Sequence, residues 1–309
     1  MPRCETLGCA RAGAPREGAE RGVLLKNAFS VSMNCYTWGS FSVAQCLEQI
    51  RETPIRLVEL PAEQFRPGSL IPEIMVDEPL GGDWQHSLSD LRALLARDGF
   101  RVEALDVFGA FHCARAGEII RRRIDFAAAL GAETIVLGCG HQADEETRQV
   151  LYALLREVGD YARPKGIRIA LEIHGGIMLN AAEALRTLAE VGRENLGINF
   201  DTANILYYNP EADGAAELAA CAPHVFHVHL KDIVRGATRE EHVLTRLGKG
   251  EVDFRRAFDI LHAADFYGPF ALEVETFHGT RSRSAPISEY QEDLLASLEY
   301  LRSLGESDP

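Results

Sequence analysis

The chain has 309 residues, with 32 Lys and Arg against 46 Asp and Glu, so its formal net charge at pH 7 is −14. Hydrophobic residues make up 46% of it and charged residues 25%, which is typical of a globular protein with a large core. The acidic balance disfavours nucleic acid and anionic membranes as partners, since both are bound through clusters of Lys and Arg. No stretch reaches the roughly 18 uninterrupted apolar residues of a membrane span, so we expect a soluble protein.

The first 25 residues differ from the rest of the chain. They mix Arg, Glu, Gly and Ala and lack the apolar core of a secretory signal. We expect residues 1–25 to be a disordered or artificial extension and residues 26–309 to form one domain. The seven cysteines are odd in number and contain no C-x-x-C pair, which favours reduced thiols in a cytoplasmic protein.

From Phe29 onward, short apolar segments alternate with longer amphipathic ones. The short segments are rich in β-branched and aromatic residues, which is typical of strands. Eight strands are predicted, at 29–37, 55–60, 101–111, 134–140, 167–175, 196–204, 225–233 and 270–277. Helical periodicity predicts eight helices, at 43–52, 88–99, 116–131, 143–166, 181–192, 215–222, 253–268 and 287–305.

Strict alternation of strands and helices predicts parallel strands joined by helical crossovers. Eight such units form a single closed (β/α)₈ barrel, the TIM barrel of the α/β class. A doubly wound open sheet is the alternative, but the Gly-rich phosphate turns G-x-G-x-x-G and G-x-x-x-x-G-K-[ST] do not occur in the sequence. We therefore predict the barrel, with the long proline-containing segment 61–86 as a lid over its mouth.

Polar residues near the ends of the last four strands indicate where the chemistry lies, because functional residues of this fold collect at that end of the barrel. These strands contribute one candidate each, namely Glu172, Asp201, His229 and Glu273. Any one of them alone could be a cap, an ion-pair partner or a hydrogen-bonded core residue. Together they form an oxygen-rich set that suits Mn²⁺ or Mg²⁺ and tolerates Co²⁺ or Zn²⁺. Three buried carboxylates would repel each other without a cation, so the sequence predicts one divalent metal ion.

Further polar residues flank these strand ends. His174 is two residues beyond Glu172, where it could contact substrate or only support the site through hydrogen bonds. Lys231 could bind a substrate oxygen or polarise a carbonyl, or it could only pair with Asp232. Candidates for binding substrate through charge, hydrogen bonds or an aromatic face are Asn204, Glu275, Arg235 and Trp38.

Two further residues, Glu59 and His227, have two possible roles each. Glu59, at the end of the second strand, either reaches the site or caps a helix. His227 lies one side-chain layer below His229, and we expect it to be a buried core histidine rather than a ligand.

Five segments together resemble the xylose isomerase-like TIM-barrel family of sugar isomerases and epimerases. They are LEIHGG (171–176), GINFDTANI (197–205), HVFHVHLKD (224–232), LGKGEVDF (247–254) and YGPFALEVE (267–275). The family includes ketose 3-epimerases, hydroxypyruvate isomerase and inosose dehydratase, and the resemblance covers roughly residues 29–303. It implies that one metal ion is held by Glu172, Asp201, His229 and Glu273.

The resemblance also implies a reaction. In the epimerases of this family the first and last of these glutamates act as acid and base on opposite faces of a carbon next to a carbonyl. Glu172 and Glu273 are therefore expected to act through a metal-stabilised enediolate. Several family members carry a His three residues after the metal-binding Asp, whereas this chain has Asn204, which cannot transfer a proton at neutral pH. His174 is the candidate for the missing imidazole.

The sequence therefore favours a metal-dependent sugar isomerase or epimerase. A lyase or dehydratase acting on a keto-sugar or keto-inositol shares the first step and is the alternative, and a non-catalytic metal-binding barrel subunit is a third hypothesis. The nuclease branch of the fold is disfavoured, because the chain reads EEHVL (240–244) where that branch carries D-x-H. A homo-oligomer is expected only by analogy with the family.

Overall fold

Eight parallel strands form a closed barrel in the computed structural model, which describes residues 27–34, 41–62, 84–107, 115–139, 144–276 and 284–306. In chain order the barrel strands are β1 Phe29–Ser32, β2 Leu57–Pro61, β3 Arg101–Val107, β4 Thr134–Leu137, β5 Arg168–Glu172, β6 Leu196–Asp201, β7 Val225–Leu230 and β10 Phe270–Leu272. The ring closes where β1 pairs with β10, with Val31 opposite Leu272. Two further strands, β8 Asp232–Val234 and β9 Val243–Thr245, form an antiparallel hairpin. The predicted TIM barrel is confirmed.

Nine α-helices lie among the described residues. They are α1 Val43–Ile50, α2 Trp84–Arg97, α3 Ala116–Leu130, α4 Glu145–Ala162, α5 Ala181–Val191, α6 Asn204–Tyr208, α7 Gly214–Cys221, α8 Phe254–Ala263 and α9 Ile287–Leu304. Many begin where a side chain accepts a backbone N–H of the first turn, as Asp144 does from Thr147 at 2.8 Å. α3 ends on Gly131, whose φ of 80° is favoured only by glycine. Within the described helices, none is long and apolar enough to cross a membrane.

The two faces of the barrel strands differ in polarity. Outward side chains such as Leu105, Ile135 and Ile169 are fully buried in the main apolar core under the helices. Inside the barrel, Ala104, Val136 and Ala170 form a separate small apolar cluster. Because side chains alternate along a strand, this inner face also carries Asp106 on β3 and Glu172 on β5. Each of these acids lies two positions beyond an alanine of the cluster. The barrel interior therefore changes from apolar to acidic toward its carboxyl end.

The predicted sixth strand, 196–204, is too long, because an aspartate ends it early. Asp201 Oδ1 accepts the backbone N–H groups of Ala203 and Asn204, at 2.9 and 2.7 Å. These bonds turn the chain out of the sheet and begin α6 at Asn204. Asn204 thus lies on a short helix above the barrel and not on the strand.

The predicted seventh strand, 225–233, is likewise interrupted. It leaves the barrel after Leu230, and Asp232 then accepts the backbone N–H groups of Gly248 and Gly250, at 2.9 and 2.8 Å. This buried carboxylate thus joins the start of β8 to the segment that follows β9. The residues after Lys231 therefore belong to the hairpin and not to the barrel strand.

Other predicted boundaries also differ from those observed. The predicted strands 29–37, 167–175 and 270–277 extend beyond the observed ends at residues 32, 172 and 272. Several predictions fall outside the described residues, either wholly or in part: the extension 1–25, Trp38, residues 63–83 of the predicted lid, residues 35–37, 108–111, 140 and 277 of predicted strands, and residue 143 of a predicted helix. Cys46, Cys139 and Cys221 are buried free thiols, as the cysteine pattern indicated.

Candidate metal centre

Four acidic and imidazole side chains converge inside the carboxyl end of the barrel. Glu172 ends β5, Asp201 ends β6, His229 lies near the end of β7, and Glu273 directly follows β10. One ligand atom from each lies within 4.8 Å of those of the others, and all four residues are buried. The structure thus brings together the four residues that the sequence predicts as metal ligands.

His229 directs its two ring nitrogens to different sides. Nδ1 lies 2.8 Å from Glu273 Oε2 and 3.3 Å from Glu172 Oε1. Nε2 lies 3.0 Å from Oε2 of Glu59, a fully buried carboxylate on β2. A histidine that binds a metal commonly donates its other ring N–H to a carboxylate, which fixes the tautomer and the ring orientation. Of the two alternatives for Glu59, the structure therefore supports the one in which it reaches the site.

Each carboxylate of the cluster is held by a polar neighbour. Asp201 Oδ1 is fixed by the backbone at the start of α6, and its Oδ2 lies 3.9 Å from His229 Nδ1. The side-chain amide of Asn204 donates to Glu172 Oε1 at 3.2 Å. The amide of Asn34 donates to Glu273 Oε1 at 3.3 Å. The cluster is therefore pre-organised by residues outside it.

Lys231 places its ammonium among the carboxylates. Its Nζ lies 3.0 Å from Asp201 Oδ2, 2.9 Å from Glu273 Oε2 and 2.8 Å from Glu275 Oε2. Asp232, which the sequence offered as the alternative partner, instead binds backbone amides of the hairpin. Lys231 thus contacts two of the four candidate ligands directly.

Burial and crowded charge shift the pKa values of the centre. Burial alone would lower the pKa of His229 and of Lys231, but the surrounding carboxylates raise both well above their usual ranges. Burial raises the pKa of Asp201, against the opposing effect of Lys231. Burial would also raise the pKa of Glu273, but the charges of His229 and Lys231 outweigh it and lower that pKa. Burial raises the pKa of Glu275 to about 7.

The chemistry of the cluster fits a hard or borderline divalent cation. Three carboxylates and one imidazole are oxygen-rich ligands of the kind that Mn²⁺ and Mg²⁺ accept. Asp106 adds a further buried acid on β3, and burial together with Glu59 and Glu172 raises its pKa well above the usual range. Such a concentration of buried acid is unfavourable unless cations balance it.

Beside the cluster lies a cavity of about 320 Å³ whose lining includes His174, Asn204 and Glu275. The hydroxyl of Tyr208 lies 3.3 Å from His174 Nδ1. His174 therefore faces the cavity that Asn204 and Glu275 share with the centre. Three residues predicted from sequence to contact substrate or to catalyse are thus brought to one place.

Arg235, in contrast, lies away from this cavity. Its Nε donates to Glu251 Oε2 at 2.9 Å and its Nη1 to the carbonyl oxygen of Pro210 at 2.6 Å. It lines a different cavity, of about 490 Å³, together with the outward-facing Phe200. The structure does not bring Arg235 to the other predicted substrate-binding residues.

His227 is fully buried and lies 3.6 Å from Glu59 Oε2 through its Nε2, so that Glu59, His227 and His229 form a second group that could hold a metal ion. The Nδ1 of His227 lies 3.0 Å from Asn199 Oδ1, and its Nε2 lies 3.0 Å from Glu103 Oε1. Both contacts lie deeper in the barrel than the cluster, one side-chain layer below His229.

Sequence analysis missed Asp106, Arg239 and His242. Asp106 carries the signal that identified the ligands, since it is an acid within an apolar strand, and it accepts a hydrogen bond from Asn34. Arg239 and His242 line the same cavity as His174 but lie in the loop between β8 and β9. Loops have no periodicity, so only the folded structure reveals these two residues.

Comparisons with known proteins agree with this architecture. The family model described as xylose isomerase-like TIM barrel matches residues 47–304. The L-ribulose 3-epimerase of Methylomonas sp. (strain DH-1) is 31% identical over 172 residues, which are 52% of this chain and 56% of that protein. The L-ribulose-5-phosphate 3-epimerase UlaE of Salmonella paratyphi A is 29% identical over 163 residues, covering 51% of this chain and 55% of that protein. The chain thus matches about half the length of these curated relatives.

A solved structure supports the fold over a longer range. The xylose isomerase-like TIM barrel protein from Mycobacterium smegmatis, in complex with magnesium, has a TM-score of 0.70 at 18% identity and covers 91% of this chain and 98% of that one. This likeness concerns the fold alone, whereas the family model spans most of the sequence. The chain belongs to the xylose isomerase-like TIM-barrel family.

Proposed function

We propose that the protein is a divalent-metal-dependent sugar isomerase or epimerase. The observation that carries the proposal is the convergence of three carboxylates and one imidazole on a buried point beside a polar cavity. The names of the two curated relatives, a ribulose 3-epimerase and a ribulose-5-phosphate 3-epimerase, support a ketose as the class of substrate.

Glu172, Asp201, His229 and Glu273 would hold one divalent ion, with Mn²⁺ or Mg²⁺ preferred by the oxygen-rich ligand set and Co²⁺ or Zn²⁺ also compatible. When bound, the ion supplies electrostatic stabilisation of the negative charge that develops on substrate oxygens. The magnesium complex of the Mycobacterium smegmatis protein supports a metal in this fold.

Glu172 and Glu273 are proposed to be the acid and the base. They come from different strands, so they can approach a bound carbon from different sides. One removes the proton next to the carbonyl, and the other delivers a proton to the opposite face, which inverts the centre. The charges of His229 and Lys231 lower the pKa of Glu273 despite its burial, which keeps this carboxylate ionised in the metal-free barrel.

Neighbouring residues would bind and orient the substrate. Lys231 can donate a hydrogen bond to a substrate oxygen from its position beside Glu273. Asn204, His174 and Glu275 line the adjacent cavity and offer donors and acceptors to hydroxyl groups. Asn204 also donates to Glu172, so it links the cavity to one proposed catalytic carboxylate.

Proton exchange in D₂O tests this function. The Mn²⁺-loaded protein should exchange the proton next to the carbonyl of ribulose and form the 3-epimer, as followed by NMR. Glu172→Gln and Glu273→Gln should each lower the exchange rate by about 10²- to 10⁴-fold. Glu251→Gln is a matched control, because Glu251 pairs with Arg235 outside the centre and its variant should retain activity.

Other outcomes of this experiment decide between the alternatives. Full activity in Glu273→Gln would contradict the proposed acid–base pair. Dehydrated or cleaved products in place of an epimer would identify a lyase. A tightly bound ion with no exchange on any ketose tested would favour the non-catalytic barrel subunit.

A further inference from the structure

The cavity beside the metal centre has a second set of lining residues that the proposed reaction does not use. On the side of the centre are Asn204, bonded to Glu172, and Glu275, whose Oε2 lies 2.8 Å from Lys231 Nζ. The rest of the lining comes from His174, from α6, from β9 and from the loop between β8 and β9, and it includes Arg239. A molecule bound at the centre would therefore extend toward this loop.

Arg239 is held by two aromatic rings. Its guanidinium carbon lies 4.5 Å from the ring centroids of both Tyr207 and Tyr208. The two rings contact each other edge to face, with centroids 5.1 Å apart. These cation–π contacts hold the guanidinium beside the two rings, and its N–H groups can still bind a ligand. A positive charge is thus fixed at the edge of the cavity.

His242 adds a buried donor to the same lining. The backbone N–H of Gly236 donates to its Nδ1 at 3.0 Å, so Nδ1 carries no proton and Nε2 carries one. The ring is 8% exposed and packs edge to face against Tyr207. Its Nε2 is buried and has no acceptor among the residues that the structure describes. Since buried N–H donors are almost always paired, this one indicates an acceptor supplied by a ligand.

Glu240 also lines the cavity, but its carboxylate is already engaged. Hydrogen bonds from its own backbone N–H and from the Thr238 side chain lower its pKa, and the nearby charges of Arg239 and His242 lower it further. Glu275 is paired with Lys231. The two acids of the lining therefore have hydrogen-bond partners, whereas Nε2 of His242 has none among the described residues.

We propose that this cavity binds the end of the substrate remote from the reacting carbonyl, and that this end carries an anion, either a phosphate or a carboxylate, bound by Arg239 and His242. The proposal rests on the proposed function, because it needs a sugar bound at the metal centre. A guanidinium binds both anions through paired hydrogen bonds, and an imidazole N–H supplies a third donor.

Binding of three unreactive analogues tests the proposal. Ribitol 5-phosphate, ribonate and ribitol lack a carbonyl group, and their affinities for the protein, with and without Mn²⁺, are measured by calorimetry at about 0.15 M salt, where exposed charges are screened. We expect one of the two anions to bind about tenfold or more tightly than ribitol. A preference for ribitol 5-phosphate would identify a sugar phosphate as the substrate class, and a preference for ribonate a sugar acid.

Variants show whether the preference arises at this site. Arg239→Gln should remove most of the preference for the anion while leaving ribitol binding unchanged. His242→Phe keeps an aromatic ring beside Tyr207 and should weaken anion binding less. The matched control is Arg246→Gln, which removes the same charge from a residue that pairs with Asp293, 4.0 Å away and outside the cavity. This control should retain the full preference.

Equal affinity for all three analogues would overturn the proposal, as would an anion preference that survives in Arg239→Gln. Either result is distinct from failure of the proposed function. Metal-dependent exchange on a neutral ketose without any anion preference would leave the isomerase intact and refute only the anion site. Absence of metal binding would refute the metal-dependent reaction, while the affinities measured without Mn²⁺ would still report on Arg239.

Discussion

The pair of Glu59 and His229 offers a direct test of how the barrel positions its proposed metal ligands. Glu59 is not among these ligands, but its Oε2 lies 3.0 Å from His229 Nε2, and the residue is fully buried. With Nε2–H donated to Glu59, Nδ1 is the nitrogen directed toward Glu172 and Glu273, and it would bind the metal once its proton is displaced. We therefore expect changes at Glu59 to weaken metal binding.

Two substitutions separate the charge of Glu59 from its role as an acceptor. Glu59→Gln keeps an oxygen that can accept the Nε2–H bond but removes the negative charge. Glu59→Leu removes both and leaves a buried imidazole N–H without a partner. Loss of such a supporting carboxylate typically costs 10- to 100-fold in metal affinity, or about 1.4 to 2.8 kcal/mol. We expect a loss near the lower end for Gln and near the upper end for Leu.

The assay is a calorimetric titration of the metal-free protein with Mn²⁺. Glu103→Gln is the matched control, because Glu103 also lies inside the barrel, with its Oε1 3.0 Å from Nε2 of His227, which is not a proposed ligand. Its affinity should match that of the unsubstituted protein. Thermal unfolding of each variant separates loss of affinity from loss of stability. Unchanged affinity in Glu59→Leu, or an equal loss in Glu103→Gln, would refute the proposed role of Glu59.

Three further predictions concern charge, backbone and pH. Lys231→Met should destabilise the metal-free protein by about 3 to 5 kcal/mol, because it leaves buried carboxylates without a balancing charge. Saturating Mn²⁺ should restore part of this loss in a thermal melt. Equal melting temperatures of the metal-free variant and the metal-free unsubstituted protein would contradict the prediction. Gly250→Ala should also lower the melting temperature, since a Cβ there would collide with the carboxylate of Asp232, and a neutral effect would show that the hairpin can shift. Mn²⁺ affinity should rise with pH. Burial lowers the pKa of His229, but the neighbouring carboxylates raise it by a larger amount, so His229 holds a proton that the ion must displace. Titrations at several pH values check the sign, and a flat profile would contradict it.

The fold followed from sequence because its signal is repeated in every unit of the barrel. Each strand carries a short apolar run and each helix a periodic face, so single errors of boundary did not change the topology. Two of the boundary errors arose at aspartates. Asp201 and Asp232 use their carboxylates to bind backbone N–H groups and turn the chain, an effect that hydropathy does not report.

The candidate ligands were predictable for a related reason. An acid or histidine inside an apolar strand conflicts with burial unless it has a function, and four strands carried such a residue at the same end. Asp106 is likewise an acid inside an apolar strand, but it lies on β3 and not on the last four strands, from which the ligands were predicted. Arg235 was placed at the site from its position near Lys231, yet the folded loop pairs it with Glu251. Contacts made by loops depend on tertiary structure, and sequence spacing does not determine them.

The acidic interior creates a conflict between folding and function that Lys231 partly resolves. Its ammonium contacts Asp201 Oδ2 and Glu273 Oε2, two oxygens of the proposed metal ligands, and it also contacts Glu275. A divalent ion held by Asp201 and Glu273 would draw on the same two carboxylates. We therefore expect metal binding to weaken these two ion pairs and to leave Glu275 as the main partner of Lys231. The residue that balances charge in the metal-free barrel would then lie beside the cavity with its ammonium available to a substrate oxygen, which connects the stability of the centre to its proposed chemistry.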